Sequence, residues 1–498
     1  MSLLLRVDQA LCRIGRQAVL KIDRLELERG RHYCLFGPNG AGKSQLAALL
    51  AGKRRESGSY VKWAEQIDPR SQVFLVSFEE QQRLWERDNR LDISEYSPDA
   101  ADQGTSIEEL IHSARARHDQ DQALLDELLQ VLSLDAFRQQ GIRFVSSGQV
   151  RKALLARALY GVKAAPGGLL ILDEPLESID RDSRAQILAC INGLLGPEFT
   201  SLSLHRRAAD IPAFASHLLL MQDLRLLAQG SVDEVTQSPQ YRAMLSRQLE
   251  LPAVLPGAGE VKRQGQEGNL LELNNVSAAW SGKPVLTDIN WCMAACDHVL
   301  FEGPNGCGKS TLLSLIDGDN HQAYGQQVLL FGRRKGSGES VWEVKSHFGV
   351  VSNELHNKYV KGWRVQDVVV SGFYDSVGLY DDAGALEREK ALAWLQVMGL
   401  KACAAAYYHE LSFGQQRLVL LARAMVKQPR ILILDEPCVG LDDYHRQAIL
   451  ALLDRIAEQC VTQLLYVSHV AGEQPACINR HYRFVPTTGG ACTLEQLL

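Results

Sequence analysis

Two glycine-rich stretches of nearly the same sequence carry residue types that bind phosphate. One is GPNGAGKS at Gly37–Ser44 and the other is GPNGCGKST at Gly303–Thr311. Both fit the pattern GxxxxGK[ST], in which backbone N–H groups surround a phosphate chain, the lysine neutralises the outer phosphates and the hydroxyl reaches Mg²⁺. Apolar residues precede each stretch and a helix-like run follows it, which predicts a strand, a loop and a helix. The sequence therefore predicts two sites for a nucleoside triphosphate.

The predicted nucleotide-binding residues form two matching sets. In the first stretch they are Gly37, Pro38, Asn39, Gly40, Ala41, Gly42, Lys43, Ser44 and Gln45. In the second stretch they are Gly303, Pro304, Asn305, Gly306, Cys307, Gly308, Lys309, Ser310 and Thr311. The two lysines lie 266 residues apart. A repeat of the loop together with its flanking strand and helix is strong evidence that both copies bind phosphate.

Three more motifs follow each glycine-rich stretch, in the same order. A serine-glycine-glutamine motif opens a helical run, with residues Ser146, Ser147, Gly148 and Gln149 in one copy and Ser412, Phe413, Gly414 and Gln415 in the other. An apolar strand ending in Asp-Glu-Pro comes next, and then a strand that ends in histidine, at His205 and His469. The glycines of the first motif are again 266 residues apart. The chain is therefore predicted to contain one domain twice.

Paired carboxylates end the repeated apolar strands. The pairs are Asp173 with Glu174 and Asp435 with Glu436. The aspartate at each strand end can hold the hydration shell of Mg²⁺ together with a loop hydroxyl, Ser44 or Ser310. The glutamate, one residue further on, can polarise an attacking water as general base. These residue types predict hydrolysis of the bound triphosphate.

The length and the repeat predict two domains of ordinary size. The chain has 498 residues, of which 46% are apolar, so each half can bury a normal core. Strands that alternate with helices predict an α/β fold, with a mostly parallel sheet core and a helical subdomain in each half. We place the nucleotide-binding domains at residues 1–248 and 269–498. Residues 249–268 carry Pro, Gly and charge without periodicity, which predicts a linker.

Composition narrows the classes of protein to which the chain can belong. The formal charge of −6 disfavours a nucleic-acid-binding basic domain. Eleven cysteines without CxxC spacing indicate reduced thiols rather than a disulfide framework or a zinc site. We find no signal peptide and no apolar stretch near the ~20 residues that a membrane span needs. We expect a cytoplasmic protein whose membrane role, if it has one, comes through a partner.

The motif set resembles the ATP-binding cassette (ABC) family over essentially the whole chain. A phosphate loop alone indicates only a nucleotide-binding protein, whereas a signature motif between that loop and a DEP-ended strand, followed by a histidine, is far more specific. The resemblance implies ATP and Mg²⁺ as ligands, ATP hydrolysis, and two domains that face each other head to tail within one chain. Each ATP would lie between one phosphate loop and the opposite signature. That pairs Gly37–Ser44 with Ser412–Gln415, and Gly303–Thr311 with Ser146–Gln149.

The resemblance also assigns roles to single residues. His205 and His469 would hold the γ-phosphate and the catalytic glutamate in register. Glu79 and Asn353 stand where the family has a glutamine that reaches Mg²⁺. Both still offer an oxygen ligand, but Glu79 adds a negative charge near the phosphates.

Several positions depart from the family pattern or differ between the halves. Trp280 aligns with the aromatic residue that stacks on adenine, whereas its counterpart Ile14 offers apolar contact only. Ser147 and Phe413 replace the first glycine of the signature, and Gln45 lacks the second loop hydroxyl. We therefore expect tighter ATP binding on the Trp280 side, since a base–ring stack contributes about 1–3 kcal/mol.

The leading hypothesis is a cytosolic ATP hydrolase that closes on ATP, opens after hydrolysis and drives an integral membrane permease from the cytoplasmic face of the inner membrane. Within the family, the chain resembles tandem proteins associated with molybdate transport and also with photorepair. One alternative is a soluble ABC ATPase that acts on ribosomes or damaged DNA, and another is a fused ATPase for sugar import. The strand ends LDEPLESID and LDEPCVGLD and the short irregular linker weaken the ribosomal alternative.

Overall fold

The structure is a computed structural model that describes residues 2–14, 18–54, 56–90, 104–115, 119–176, 181–258, 268–280, 283–304, 306–359, 362–380, 383–459, 462–470, 472–487 and 490–497. The chain divides into two compact units, Met1–Arg247 and Gln248–Leu498. They are called the first unit and the second unit. Each contains its own sheet.

The first unit holds one mixed sheet. Its described strands are β1 (Leu3–Ile14), β2 (Ala18–Glu28), β3 (His32–Phe36), β4 (Val61–Trp63), β5 (Val73–Val76), β6 (Leu169–Asp173), β7 (Thr200–His205), β8 (His217–Gln222) and β9 (Arg225–Ser231). They are ordered β4-β1-β2-β9-β8-β3-β7-β6-β5. Strands β3, β7, β6 and β5 pair in parallel, whereas β1–β2 and β8–β9 pair antiparallel.

The helices of the first unit follow its strands in the alternation that the sequence predicts. Those described are α1 (Lys43–Leu50), α2 (Ser57–Tyr60), α3 (Pro69–Gln72), α4 (Phe78–Arg90), α5 (Ile107–His112), α6 (Gln122–Val131), α7 (Ser147–Lys163), α8 (Arg181–Leu194), α9 (Val232–Thr236) and α10 (Pro239–Leu245). The longest of them, α7, begins directly after the signature serine Ser146.

The second unit repeats this plan. Its described strands are β10 (Asn269–Trp280), β11 (Lys283–Ala294), β12 (Val299–Glu302), β13 (Gln327–Leu330), β14 (Arg333–Arg334), β15 (Phe348–Val351), β16 (Ile431–Asp435), β17 (Gln463–Ser468), β18 (Arg480–Pro486) and β19 (Cys492–Gln496). They are ordered β14-β13-β10-β11-β19-β18-β12-β17-β16-β15. The described helices are α11 (Lys309–Asp317), α12 (Val341–Ser346), α13 (Asn353–Lys358), α14 (Val365–Val370), α15 (Ala385–Val397), α16 (Phe413–Met425) and α17 (Asp443–Gln459).

The apolar runs ahead of the carboxylate pairs form the buried centre of each sheet. Residues 169–172 are fully buried, and residues 431–434 are at most 1% exposed. A parallel strand covered on both faces is apolar at every position rather than alternating. The strands β5–β6–β7 and β15–β16–β17 pair in parallel. The predicted α/β class with a mostly parallel core is confirmed.

A helical layer packs beside the core in each unit. In α6, Asp121 caps the helix by accepting from the N–H of Leu124, and Leu125, Leu128 and Leu129 are buried. The matching helix α15 buries Trp394 and Leu395. Both lie in the core clusters that also contain the buried faces of α7 and α16. The helical subdomain predicted for each half is therefore present and packs in the core of its unit.

The described part of the predicted linker is attached to the second unit. Leu255 is 2% exposed and belongs to the core cluster of that unit. Its N–H donates to Oε1 of Gln459 at 2.9 Å, and Nε2 of Gln459 donates to the carbonyl of Ala253 at 2.7 Å. Residues 259–267 lie outside the described residues, so an irregular connection there stays a prediction.

Candidate functional site

The phosphate loops bend at left-handed glycines. Gly42 and Gly308 both have φ of +95° and directly precede α1 and α11. A Cβ at Gly308 would stand 2.6 Å from Cδ2 of Leu286. Backbone strain and lack of space therefore both require glycine at this position. The turn brings the loop to the N-terminus of a helix, where N–H groups favour an anion.

Each loop lysine is buried against its own loop. Lys43 and Lys309 are each 7% exposed. Nζ of Lys43 donates to the carbonyl of Gly37 at 2.7 Å, and Nζ of Lys309 donates to that of Gly303 at 2.8 Å. A buried ammonium beside the start of a helix concentrates positive charge. This arrangement fits a triphosphate, whose charge would be matched by the lysine and the backbone N–H groups together.

The second unit brings two predicted Mg²⁺ ligands together. Oγ of Ser310 donates to Oδ2 of Asp435 at 3.2 Å. Burial raises the pKa of Asp435, and the neighbouring Glu436 raises it further. A divalent cation would stabilise the ionised form, and a hydroxyl with a carboxylate is the oxygen set that Mg²⁺ takes. Ser44 and Asp173 hold the same places in the first unit, as the second residue of α1 and the last residue of β6.

The two candidate bases share an unusual backbone conformation. Glu174 has φ of 48° and Glu436 has φ of 51°. Their N–H groups donate to the carbonyls of Leu204 at 3.2 Å and Val467 at 3.1 Å. A left-handed residue with a side chain is strained and persists only where its surroundings hold it. Both central strands therefore end in the same left-handed turn, directly after the aspartate.

In the second unit, a histidine contacts the candidate base. Nδ1 of His469 lies 2.8 Å from Oε1 of Glu436. Burial raises the pKa of Glu436, but the hydrogen bond from His469 and the charge of Lys309 outweigh it, and the net pKa is lowered. Glu436 therefore remains ionised and able to accept a proton in neutral solution. The predicted pairing of glutamate and histidine is present in this unit.

In the first unit, strand register puts an arginine in the position of that histidine. Asp173 pairs with Leu204, as Asp435 pairs with Val467. Two residues further along each strand come Arg206 and His469 respectively. Nε of Arg206 lies 3.6 Å from Oε1 of Glu174. The expectation that His205 fills this position is corrected, because the histidine of the first unit stands one position earlier on its strand than His469 does on its own.

His205 occupies a different place, under the phosphate loop. It pairs with Phe36 in β3, and its carbonyl accepts from the N–H of Gly37 at 3.2 Å. The register counterpart in the second unit is Ser468. The side chain is buried, and its Nε2 has no hydrogen-bond partner among the described residues. Burial, with the charge of Lys43 nearby, lowers the pKa of His205 to about 3, so the ring is neutral.

Both signature serines cap the helix that follows them. Oγ of Ser146 accepts from the N–H of Gln149, and the Ser146 N–H donates to Oε1 of Gln149 at 2.7 Å. Ser412 and Gln415 form the same capping box at the start of α16. Capping uses an acceptor lone pair of each hydroxyl, whereas its hydrogen can still donate. A serine at a helix N-terminus is therefore compatible with both roles, the structural cap and a phosphate donor.

Phe413 packs within its own unit. Its ring lies 4.7 Å from the ring of His356 and 5.3 Å from the guanidinium carbon of Arg417. A Cβ at Gly440 would stand 2.5 Å from the same ring. The bulk of this side chain is therefore accommodated inside the second unit. The side chain of Ser147, its counterpart, lies outside the described residues.

Asn353 is held by a buried arginine. The guanidinium of Arg417 donates to Oδ1 of Asn353 and to the carbonyl of Ser352. Arg417 is fully buried. The side chains of Glu79 and Trp280 and the whole of Asn305 lie outside the described residues. Tighter ATP binding on the Trp280 side stays a prediction, as does a Mg²⁺ role for Glu79.

Comparison with known sequences decides the family. The sequence profile described as ABC transporter matches this chain twice, over residues 20–177 and 286–439. Each match contains one phosphate loop, one signature motif and one carboxylate pair. The chain belongs to the ABC transporter family. Within the described residues, no helix is long and apolar enough to cross a membrane.

Relatives in the ABC family match the chain end to end. It is 35% identical over 494 residues to the ABC transporter ATP-binding protein ModF of Escherichia coli, covering 97% of each chain. An uncharacterised ABC transporter ATP-binding protein of Schizosaccharomyces pombe is 26% identical over 485 residues, covering 94% of each. The duplicated layout is thus shared over the whole length.

Solved structures of tandem ABC proteins share the fold. The archaeal ribosome recycling factor aABCE1, in complex with a ribosomal stalk protein, gives a TM-score of 0.58 at 15% identity, over 98% of this chain and 89% of that one. RNase-L Inhibitor gives 0.56 at 15% identity, over 98% and 90%. Identity this low supports the ABC fold alone.

Three residues at the site were not predicted from the sequence, namely Arg151, Arg206 and Arg417. The SSGQVR and SFGQQR segments place Arg151 and Arg417 at matching positions, which was a usable signal. Arg151 donates to the carbonyl of Glu174 at 2.7 Å. In this ABC chain, an arginine of the signature helix thus contacts the nucleotide-facing strand ends in both units, although the acceptor differs.

Proposed function

We propose that this protein hydrolyses ATP and that Glu436 of the second unit is a general base. The observation that carries the proposal is the contact of 2.8 Å between Nδ1 of His469 and Oε1 of Glu436. It lies at the strand end where Ser310 also bonds to Asp435. A base, an orienting imidazole and a Mg²⁺-type oxygen pair at one sheet edge suit the attack of water on a phosphoryl group.

Each candidate residue of the second unit has its own role in the proposed hydrolysis of ATP. Lys309 and the N-terminus of α11 bind the outer phosphates and neutralise their charge. Mg²⁺, when bound by Ser310 and Asp435, would neutralise charge that develops on the phosphates. Glu436 takes a proton from water as its oxygen attacks the γ-phosphorus, and the bond to the β-phosphate oxygen breaks. The products are ADP and inorganic phosphate.

Each ATP site in this proposal is shared between the two halves. The signature serines Ser146 and Ser412 donate their hydroxyl hydrogens to the γ-phosphate held by the opposite loop. Membership of the ABC family supports this pairing, and the capping boxes keep each serine at a helix N-terminus. The two nucleotides would then close residues 1–248 and 269–498 onto each other within one chain.

We further propose a membrane permease as partner, on the cytoplasmic face. The support is the 35% identity to a protein named an ABC transporter ATP-binding protein. Molybdate as the transported species follows only from the family resemblance of the motifs.

Phosphate release by the purified chain tests the hydrolase. Wild-type protein should turn over Mg²⁺-ATP, and the double variant K43A/K309A should not, because both loops lose the cation that binds the outer phosphates. A wild-type chain without turnover, or a double variant as active as the wild type, would contradict the proposal.

Partner capture tests the biological role. The double variant E174Q/E436Q should hold ATP, and cells that express it would be crosslinked in Mg²⁺-ATP before mass spectrometry. Recovery of an integral membrane permease would support transport and would identify the substrate class. Recovery of ribosomes or DNA-repair proteins without a permease would remove the transport proposal and leave the ATPase chemistry.

A further inference from the structure

The structure assigns different roles to the two carboxylate pairs. We infer that Arg206 is a positioning residue that fixes Glu174 in an ion pair, so that the first unit holds ATP while the second unit hydrolyses it. This inference rests on the proposed hydrolase function and adds which site turns over. It follows from a difference of one position in where the histidine lies on two strands that pair in the same register.

The first observation is geometric. Arg206 and His469 occupy the same register position, two residues beyond the partner of the strand-end aspartate. Arg206 lies 3.6 Å from Glu174, and the two side chains are only 12% and 15% exposed. The pair is therefore shielded from water, and salt screens a shielded pair much less than an exposed one.

The second observation is chemical. A guanidinium stays charged throughout the range of protein chemistry, so it offers hydrogen bonds but neither takes up nor releases a proton. An imidazole can change charge and can act as donor or acceptor. Arg206 therefore fixes the Glu174 carboxylate in an ion pair and cannot pass on a proton. Glu436 contacts an imidazole instead of a guanidinium.

The third observation is the surrounding charge. Lys43, Arg184 and Arg206 all lie close enough to His205 to act on its charge state. Arg151 donates to the backbone carbonyl of Glu174. Cationic side chains therefore lie around Glu174 and His205 at the strand ends of the first unit, and this positive charge suits retention of a polyanion. Arg206 holds the Glu174 carboxylate in the ion pair.

A difference in the loops supports the same division. Gln45 stands where the second unit has the hydroxyl of Thr311. Oε1 of Gln45 accepts from Nη1 of Arg54 at 2.5 Å, so the side chain is tied to its own unit. The first loop therefore lacks one of the two neighbouring hydroxyls that the second loop offers.

A single-turnover experiment tests the inference on the whole wild-type chain. Protein loaded with two Mg²⁺-ATP per chain would be quenched over time and its nucleotides separated by chromatography. We expect two phases, with half of the ATP converted in the fast phase and the other half retained much longer. A single phase that converts both nucleotides would overturn the inference. Absence of bound ATP or of any turnover would instead contradict the proposed hydrolase.

Substitution of Arg206 tests whether this residue is the reason that the first unit retains ATP. In the background E436Q, where the second base is removed, R206H should raise residual turnover by at least about tenfold, because an imidazole then faces Glu174. R206K keeps the cation and should give no gain, and R207H places a histidine one residue away as a matched control. Equal turnover in R206H and R206K would overturn the inference.

The pH profile separates positioning from a structural effect. The turnover gained by R206H should vary between about pH 5 and 8, the range in which imidazoles change charge. Residual turnover of the E436Q parent should lack that added dependence, because Arg206 does not titrate there. If the gain in R206H has the same pH profile as the parent, Arg206 does not act through the charge beside Glu174.

Discussion

The ring of His445 lies directly behind the signature glycine Gly414. A Cβ built on Gly414 would stand 2.3 Å from Cγ of His445. The ring cannot move aside easily, because Nδ1 of His445 is 2.8 Å from Oδ1 of Asp442 and the residue is 8% exposed. The segment that follows Glu436 thus packs against the start of the signature helix α16.

Substituting the signature glycine should destabilise the second unit but not the first. G414A should lower the melting temperature by a few degrees, because forcing a methyl against the fixed ring costs about 1–3 kcal/mol. G148A is the matched control, since its Cβ would meet only Oγ of Ser146, at 4.0 Å. Alanine favours a helix, so G148A should leave the melting temperature unchanged or slightly raised. Calorimetry that finds equal losses would refute the role of His445.

The buried guanidinium of Arg417 should be essential to the second unit. It donates to the carbonyl of Ser352 and to Asn353, so R417K would keep the charge but lose the two-pronged contact. We expect R417K to lose about 1–3 kcal/mol of unfolding free energy in denaturant titration. The comparison variant is R388K, whose ion pair with Asp367 is 3.5 Å long and partly exposed, and which should change little. Similar losses in both variants would contradict this assignment.

Stability should depend on pH through Asp317. Burial raises the pKa of Asp317 to about 6, above its ordinary value of 3.8. The folded state therefore binds the proton more tightly, and this stabilisation is present at pH below 3.8 and is lost as pH rises through about 6. D317N should raise the melting temperature at pH 7.5 relative to wild type, with the difference shrinking towards pH 4.

The exposed Asp288 provides the control for this profile. D288N removes one carboxylate charge from an exposed position and is measured over the same range of pH. A D317N difference that is constant between pH 4 and 7.5 would show that burial of Asp317 carries no proton linkage.

The acid limb of ATP hydrolysis should move when His469 is removed. The hydrogen bond from His469 contributes to the lowered pKa of Glu436. In H469A, only the charges of Lys309 and Arg417 oppose the effect of burial, so the pKa of Glu436 rises and the base is protonated at a higher pH. We expect the acid limb of kcat to shift to higher pH in addition to a loss of rate. H481A, which removes an imidazole from the sheet edge at Glu302, should keep the wild-type limb.

Local sequence was sufficient to predict the helices, strands and motifs that form the candidate site. Glycine in a left-handed turn, a capping serine followed three residues later by glutamine, and a fully apolar strand ending in carboxylates each act through neighbouring residues. Gly308, Ser412 and Asp435 therefore stand where the pattern predicts, at the start of α11, the start of α16 and the end of β16. The same motifs occur in both halves of the chain.

Contacts between distant segments could not be predicted in this way. Arg417 reaches Asn353 across 64 positions, and His445 meets Gly414 from a different helix. The ring of Phe413 packs on His356 from another helix of the same unit. Packing partners depend on how helices settle against each other, and a single sequence carries little information on that.

The sequence by itself determined that this chain is a tandem ATP-binding protein with two phosphate loops, two signatures and two carboxylate pairs. The tertiary structure decided which side chain meets each glutamate. A histidine at the end of both apolar strands made the halves look alike, but alternation along a strand sends neighbouring side chains to opposite faces. A histidine that stands one position earlier in the first unit therefore lies beside the phosphate loop, and Arg206 lies beside Glu174.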